Sequence, residues 1–402
     1  MMDPALTYLD FAATSAIRPP AVIDAMTDYI TNVGATPGRA AHRLAIEAGR
    51  RALACRQTLG RLLGLPGDPG RIAFTLNATY AINTALSGTL ARGDTVVVTA
   101  FDHNAVLRSA HRLAGERGVH VRMVPGDASG ALDDVALERA LDGARLLVIN
   151  GASNVLGNAL DVGRLSALAR GAGVLTLVDT AQTAGELAFN AAAAGVDMIA
   201  VTGHKALLGP QGIGALWIRE GVGIDPLIVG GTGGDSRLRE MPESLPDRFE
   251  AGTVNAPGIA GLDAGVRFVV ERGMERRREE VVRLKRMLRD GLESVRGVRV
   301  RTPACPGGVP IVAITTDEVD PATLAFRLDR EYGVLTRAGL HCAPEAHRMM
   351  GTLDTGALRF SAGWSTTESE ITRAIEAVAR IVHRPSFAGT GPAANALGGA
   401  TG

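Results

Sequence analysis

Residues 173–182, GVLTLVDTAQ, and residues 195–205, GVDMIAVTGHK, decide how this chain folds. Each is a short apolar run bounded by glycine and polar turn residues, the pattern of a buried parallel strand. The first run ends at Asp179 and the second runs into Thr202-Gly203-His204-Lys205. Open parallel sheets bind ligands beyond the carboxyl ends of their strands, so Asp179 and Lys205 are expected to share one crevice. Lysine is rare here: of 42 Lys and Arg residues only Lys205 and Lys285 are lysines. Lys285 lies in ERRREEVVRLKRMLRD, where any cation is expected to serve. At position 205 a primary amine can lose its proton and attack a carbonyl, which a guanidinium cannot. That marks Lys205 as a Schiff-base nucleophile. A lysine and an acid at adjacent strand ends are what pyridoxal phosphate requires, the acid pairing with the ring nitrogen. A lone strand-end Asp is more often a helix cap; the pair is the stronger signal.

The rest of the chain fits an enzyme of this kind. At 402 residues it is long enough for two domains. Its 42 acidic and 42 basic residues cancel, which argues against a nucleic-acid or polybasic membrane surface. No signal peptide pattern is visible, and Cys55, Cys305 and Cys342 form neither a CxxC pair nor a disulfide framework, so the expected setting is the reducing cytoplasm. Between about 70 and 220, RIAFTL, DTVVVTA, RLLVIN, VLTLVD, DMIAVT and GALWIR read as strands alternating with helices. A Gly/Pro-rich irregular stretch covers 223–260 and one long amphipathic helix is expected over 258–296. Beyond it, VPIVAITT, GVLTR and ALRFSAG with their helices suggest a small α+β unit. The tail SFAGTGPAANALGGATG has the composition of a disordered segment.

Several other residues carry chemistry. Asn77-Ala78-Thr79 stand where a strand turns into a helix, an anion site made of free amides with Thr79 as a further donor. An Asn or Thr there is usually only a cap. Thr202 and His204 can add phosphate donors; no Walker motif competes. His103 and Asn154 follow strands, the first placed to stack on a ring or relay protons, the second to reach a ring hydroxyl or a carboxylate. Gln182 reaches the same ring oxygen. Cys342 lies in the polar loop of TRAGLHCAPEAH, where neighbouring His341 is expected to polarise the thiol. Zinc on His341, Cys342 and His347 lacks a fourth ligand and no metal is expected. Arg359 in ALRFS can hold a carboxylate in a bidentate fork, or be an ordinary edge arginine.

In this order TYLDFAATS, FTLNATYAIN, DHNAVLRS, ASNVLG, VDTAQTAGE, TGHKALLGPQGIGALW, RFEAGTVN, RAGLHCAPEAH and ALRFS resemble the class V aminotransferase superfamily, and most closely its cysteine desulfurase and selenocysteine lyase branch. The resemblance spans nearly the whole chain. It implies an α/β protein of pyridoxal-phosphate fold type I, with a mostly parallel seven-stranded sheet and a small C-terminal α+β domain. The implied division is a large domain over 16–260, a small domain of 1–15 and 261–385 with a bridging helix, and a tail over 386–402. It implies a homodimer, an amino-acid substrate such as L-cysteine, and a sulfur-acceptor protein. Lys205 then resembles the cofactor lysine, Asp179 the ring-nitrogen partner, Gln182 and Asn154 the ring-oxygen contacts, and His103 the stacking histidine and proton relay. Asn77, Ala78, Thr79, Thr202 and His204 match the phosphate site, and Thr253 matches the residue that reaches the phosphate of the other subunit. Arg359, Asn154 and Ala13 match the substrate contacts, and Cys342 the nucleophile that takes sulfur as a persulfide. Phe11, Tyr80 and Leu340 depart from the usual Asn, Glu and His, which bears on substrate more than on cofactor. The alternatives are a selenocysteine lyase, aminotransferase or epimerase that uses the same site without a persulfide, or a non-catalytic binding protein.

Overall fold

The computed structural model describes residues 6–38, 40–234, 237–304 and 307–384. Cys305 and the expected tail over 386–402 lie outside the described residues. The chain begins with β1 (Thr7–Tyr8), α1 (Pro20–Asp28), α2 (Arg43–Leu63), β2 (Ile72–Thr75) and α3 (Ala78–Thr89). It continues through β3 (Thr95–Thr99), α4 (Asn104–Arg117), β4 (His120–Val124), α5 (Asp134–Leu141), β5 (Leu146–Asn150) and α6 (Val162–Gly171). Next come β6 (Leu175–Asp179), α7 (Ala191–Ala194), β7 (Met198–Thr202), β8 (Gly214–Ile218), α8 (Ala256–Arg272) and α9 (Met274–Glu293). The last elements are β9 (Val298–Val300), β10 (Ile311–Thr316), α10 (Pro321–Tyr332), β11 (Val334–Leu335), β12 (Arg337–Gly339), α11 (Pro344–Met350), β13 (Ala357–Ser361) and α12 (Glu368–Val382).

Seven strands form one sheet in the order β2-β8-β7-β6-β5-β3-β4, parallel except where β8 runs antiparallel to β2 and β7. Strands β3, β5, β7 and β8 are buried along their whole length, because helices cover both faces. That explains their continuous apolar runs. One face packs against Leu59, Leu165 and Leu262, the other against Ile82, Leu86 and Leu113. All six strands expected from the sequence are present. The seventh, β4, lies at the sheet edge with exposed His120, Arg122 and Met123, so it carries no apolar run to betray it.

A second sheet, β12-β13-β10-β9, is antiparallel throughout. It is covered by Leu284 and Leu288 of α9, Leu324 and Leu328 of α10, and Ile371 and Val378 of α12. Full burial of each such side chain contributes about 1.5–3 kcal/mol. Arg359 therefore sits on an interior strand, not at an edge, with β12 and β10 on either side. The N-terminal segment reaches this sheet from the far end of the sequence: β1 and β11 form a separate parallel pair beside it, and Asp10 bridges Ser361 of β13.

Two expectations are corrected. The helix expected over 258–296 is two helices, broken at Gly273 with φ 82°, a backbone that glycine adopts at little cost. Lys285 is not an interchangeable surface cation. It is 4% exposed and its Nζ donates to the carbonyls of Gly157 (3.0 Å) and Gly307 (2.8 Å). A compact ammonium with rotatable donors serves converging carbonyls better than a planar guanidinium.

Candidate active site

The carboxyl ends of β5 and β6 lie level, since Asn150 registers with Asp179, and β7 runs two residues beyond them because Asp179 registers with Ala200. Their ends, the starts of α3 and α4, and the β12–α11 loop enclose a cleft of ≈ 260 Å³. Lys205 stands three residues past β7 in a turn closed by Gly203 N to Ile213 O and Gly209 N to Gly203 O, both 2.9 Å. The N-terminal segment clamps the same turn: Ser15 N donates to His204 O (2.9 Å) and Ser15 Oγ to Lys205 O (2.8 Å). Burial pulls the Lys205 amine down to about 8; Asp179 opposes that shift, and Arg359 and Arg337 reinforce it. Asp179 ends β6 and is buried, which raises its pKa, against the Ala181 amide on its Oδ1 (2.9 Å) and the nearby Lys205 charge.

At one end of the cleft the side chain of Asn77 caps α3 by accepting from Tyr80 N (3.0 Å). The Ala78 and Thr79 amides remain as first-turn donors without an intrahelical acceptor. The Thr202 hydroxyl lines the same space, buried and without a partner among the described residues. His204 Nδ1 is 3.0 Å from Thr14 Oγ1, and burial drops its pKa to about 4. Gly214 of β8 lies so close that a Cβ there would sit 2.8 Å from Asn77 Cα, so this turn tolerates only glycine beside it. Thr253 is exposed and is not among the residues lining the cleft of its own chain.

His103 caps α4, its Nδ1 accepting from Ala105 N (3.0 Å), which places the ring proton of the neutral imidazole on Nε2. Burial, then the Lys205 charge, takes its pKa to about 4. Asn154 sits in a turn held by Ser153 N to Asn158 O (2.9 Å); its Nδ2 donates to His341 O and its Oδ1 is buried without a partner among the described residues. Gln182 Nε2 donates to Ala12 O (3.1 Å), and Ala13 also lines the cleft. Arg359 is 1% exposed and donates to Asn154 O (2.9 Å) and Asp10 Oδ1 (2.8 Å). Cys342 is exposed at the cleft's rim, its carbonyl accepting from Asn104 N (2.7 Å).

The site thus gathers every residue expected from the sequence except Thr253. His341 behaves otherwise than expected. Its ring does not polarise the thiol: it is buried and bonded to Arg337 O (3.0 Å) and His347 Nε2 (3.4 Å). Phe11 lies edge-on to Tyr8 at 4.9 Å and lines a second cavity with Phe268 and Trp364. Sequence reasoning missed Asp10, Arg337, Asn150 and the fully buried Asp102. Asp10 and Arg337 stood inside quoted motifs, but nothing in residue order showed that they face Arg359. Among the described residues no cluster of His, Cys, Asp and Glu is placed to hold a metal ion.

The donor set fits pyridoxal phosphate: an amine of lowered pKa beside a carboxylate, a helix start with free amides, and unpartnered buried oxygens on Thr202 and Asn154.

Comparison with known proteins agrees. The chain is 34% identical over 376 residues to a probable cysteine desulfurase of Methanothermobacter thermautotrophicus, covering 90% of this chain and 92% of that one. It is 31% identical to a cysteine desulfurase of Cereibacter sphaeroides, with coverage of 93% and 95%. Among solved structures it resembles the apo cysteine desulfurase of Thermococcus onnurineus NA1, with TM-score 0.87, 30% identity and 94% of each chain covered. It also resembles the cysteine desulfurase CsdA of Escherichia coli, with TM-score 0.82, 29% identity and the same coverage. The family model of class V aminotransferases matches residues 7–374, and this chain belongs to that family.

Proposed function

We propose that this protein is a pyridoxal-phosphate-dependent cysteine desulfurase that converts L-cysteine to L-alanine and takes the sulfur on Cys342. The observation that carries the reading is one cleft lined by the Lys205 amine, the Asp179 carboxyl, the Arg359 guanidinium and the Cys342 thiol. Relatives named as cysteine desulfurases, 31–34% identical, support it.

Lys205 and Asp179 would hold the cofactor's carbonyl carbon and ring nitrogen, with His103 over its face and Gln182 and Asn154 at its ring oxygen. Asn77, Ala78, Thr79, Thr202 and His204 would hold its phosphate. Once bound, the cofactor supplies an electron sink for the substrate's α-carbon. Arg359 takes the substrate carboxylate in a planar fork whose orientation Asp10 fixes. The Lys205 amine, its pKa pulled down to about 8 so that part of it is free base at physiological pH, removes the α-proton. The Cys342 thiolate attacks the substrate sulfur: an S–S bond forms, the C–S bond breaks, and its electron pair stays with carbon, leaving alanine after protonation. His103 begins as an Nε2–H donor, so it delivers a proton before it can accept one.

Two copies complete the site, with Thr253 of each reaching the phosphate held by the other. Its exposure outside the cleft of its own chain supports this, as do the exposed apolar Ile228, Val229 and Leu238 of the irregular stretch. The division at about residue 260 into a large and a small domain accords with the two sheets. The exposed Cys342 suits transfer to an acceptor protein. Among the described residues no helix is long and apolar enough to cross a membrane; the exposed free thiol of Cys342 suits a reducing compartment such as the cytoplasm.

Alanine release from L-cysteine by the cofactor-loaded protein, with a reductant, tests the reading. Wild type is expected to release alanine and sulfide and Cys342→Ala neither. Alanine release that survives Cys342→Ala would move the function to a reaction without a persulfide.

A further inference from the structure

His341 and Cys342 are consecutive non-glycine residues at φ 51° and 59°. L-residues adopt this left-handed backbone only where the surroundings impose it. The Asn104 backbone amide at the start of α4 and the Asn154 side-chain amide after β5 reach the loop from the large domain. The remaining hold comes through the His341 ring, which points away from the thiol.

That ring begins a chain of hydrogen bonds whose far end, Thr352 Oγ1, also lies 3.4 Å from the His347 carbonyl. Arg337 O can only accept, so His341 Nε2 carries a proton at 3.0 Å from it. Burial keeps His341 neutral, with its pKa down at about 3, so Nδ1 is an acceptor. His347 Nε2, 3.4 Å away, must then donate to it. His347 is also buried and neutral, at about 4, so its Nδ1 accepts from Thr352 Oγ1 at 2.8 Å. The two ring planes differ by 21° and their centroids are 5.6 Å apart. This exceeds the N···N distance by about two ring radii, so the rings meet edge to edge in nearly one plane, as a hydrogen bond requires. Every link needs a neutral group that both donates and accepts, which imidazole and hydroxyl supply.

We propose that His347 and Thr352 are positioning residues that fix the His341 ring through this one-way chain of hydrogen bonds and so hold Cys342 at the rim of the cleft. The consequence for turnover rests on the desulfurase reading; the geometry does not.

The test is amide hydrogen exchange on the cofactor-loaded protein. The Asn104 N–H, which donates to Cys342 O, and the Ala343 N–H, which donates to Leu340 O, report the loop. In Thr352→Val both are expected to exchange about fivefold faster, the value of one lost hydrogen bond, while amides of β5 stay unchanged. Thr352→Ser keeps the hydroxyl and is expected to match wild type. Unchanged exchange in the Val variant, or equal acceleration in the Ser variant, overturns the proposal. Should Thr352→Val fail to fold, nitrogen-15 spectra of wild-type histidines decide it: both rings must be Nε2–H tautomers, and an Nδ1–H form at either overturns the chain. With L-cysteine as substrate, the Val variant is expected to lose kcat about fivefold at unchanged KM. If wild type shows the exchange pattern and the tautomers but releases no alanine, the desulfurase reading fails and the positioning role stands.

Discussion

Arg359 and Asp10, 349 residues apart in sequence, meet at 2.8 Å where Arg359 lines the cleft. The arginine is nearly sealed from water, and the carboxylate turns its planar fork to present the same face at every encounter. Lysine at this position keeps the charge and loses the fork. Arg359→Lys is expected to lower kcat/KM for cysteine roughly 30-fold or more, mainly through KM. Steady-state kinetics at varied cysteine checks this. An unchanged KM would show that the carboxylate is held elsewhere.

Lys205 titrates at about 8, so its attacking free-base form grows as pH rises through that value. The rate at which the unloaded protein captures pyridoxal phosphate, followed by the cofactor's absorbance, is therefore expected to climb from pH 6 to 8 and level above it. Lys205→Arg keeps the charge and has no free base to offer, so it should show no covalent capture at any pH.

Asp102 is fully buried just past β3, with Oδ2 accepting from Thr99 N (2.6 Å) and Oδ1 without a partner among the described residues. Burial lifts its pKa from 3.8 to about 8, with the Asp179 charge adding to the rise. Between those values the folded protein binds more protons than the unfolded chain, so this group costs stability as pH rises from 4 to 8 and no more above 8. Asp102→Asn removes that slope. Melting temperatures measured across this range should fall less steeply in the variant than in wild type; parallel curves would sink the assignment.

Lys285→Met keeps most of the buried stem and strips the donors from the Gly157 and Gly307 carbonyls. The Gly157 carbonyl keeps the Val309 amide at 3.0 Å and Gly307 is exposed, so the loss of these charge-assisted bonds is expected to cost about 1–3 kcal/mol. A urea titration should show the midpoint moving down with an unchanged slope.

Much of this was legible in residue order because parallel strands under two helical layers must be apolar from end to end, and the sheet's chemistry gathers where they stop. Asp179, Asn154 and Lys205 could be placed on that ground alone. The edge strand β4 escaped because one flank of it meets water, and the break at Gly273 because a glycine inside an amphipathic pattern does not announce its φ. The inward turn of His341 and the burial of Lys285 depend on contacts with residues 347 and 157, which no local pattern encodes. Arg359 looked as much like an edge residue as a ligand until β12 was seen to lie outside it.

The pairing of β1 with β11 and of Asp10 with Ser361 has a consequence for how the protein comes into being. Strand β1 finds its partners only after more than 320 further residues have been made. At 5–20 residues per second that wait is roughly 20–70 s. Through it the Thr14–Ser15 clamp on the lysine turn has no small sheet to anchor it, so the active site closes only after residue 361 has been made.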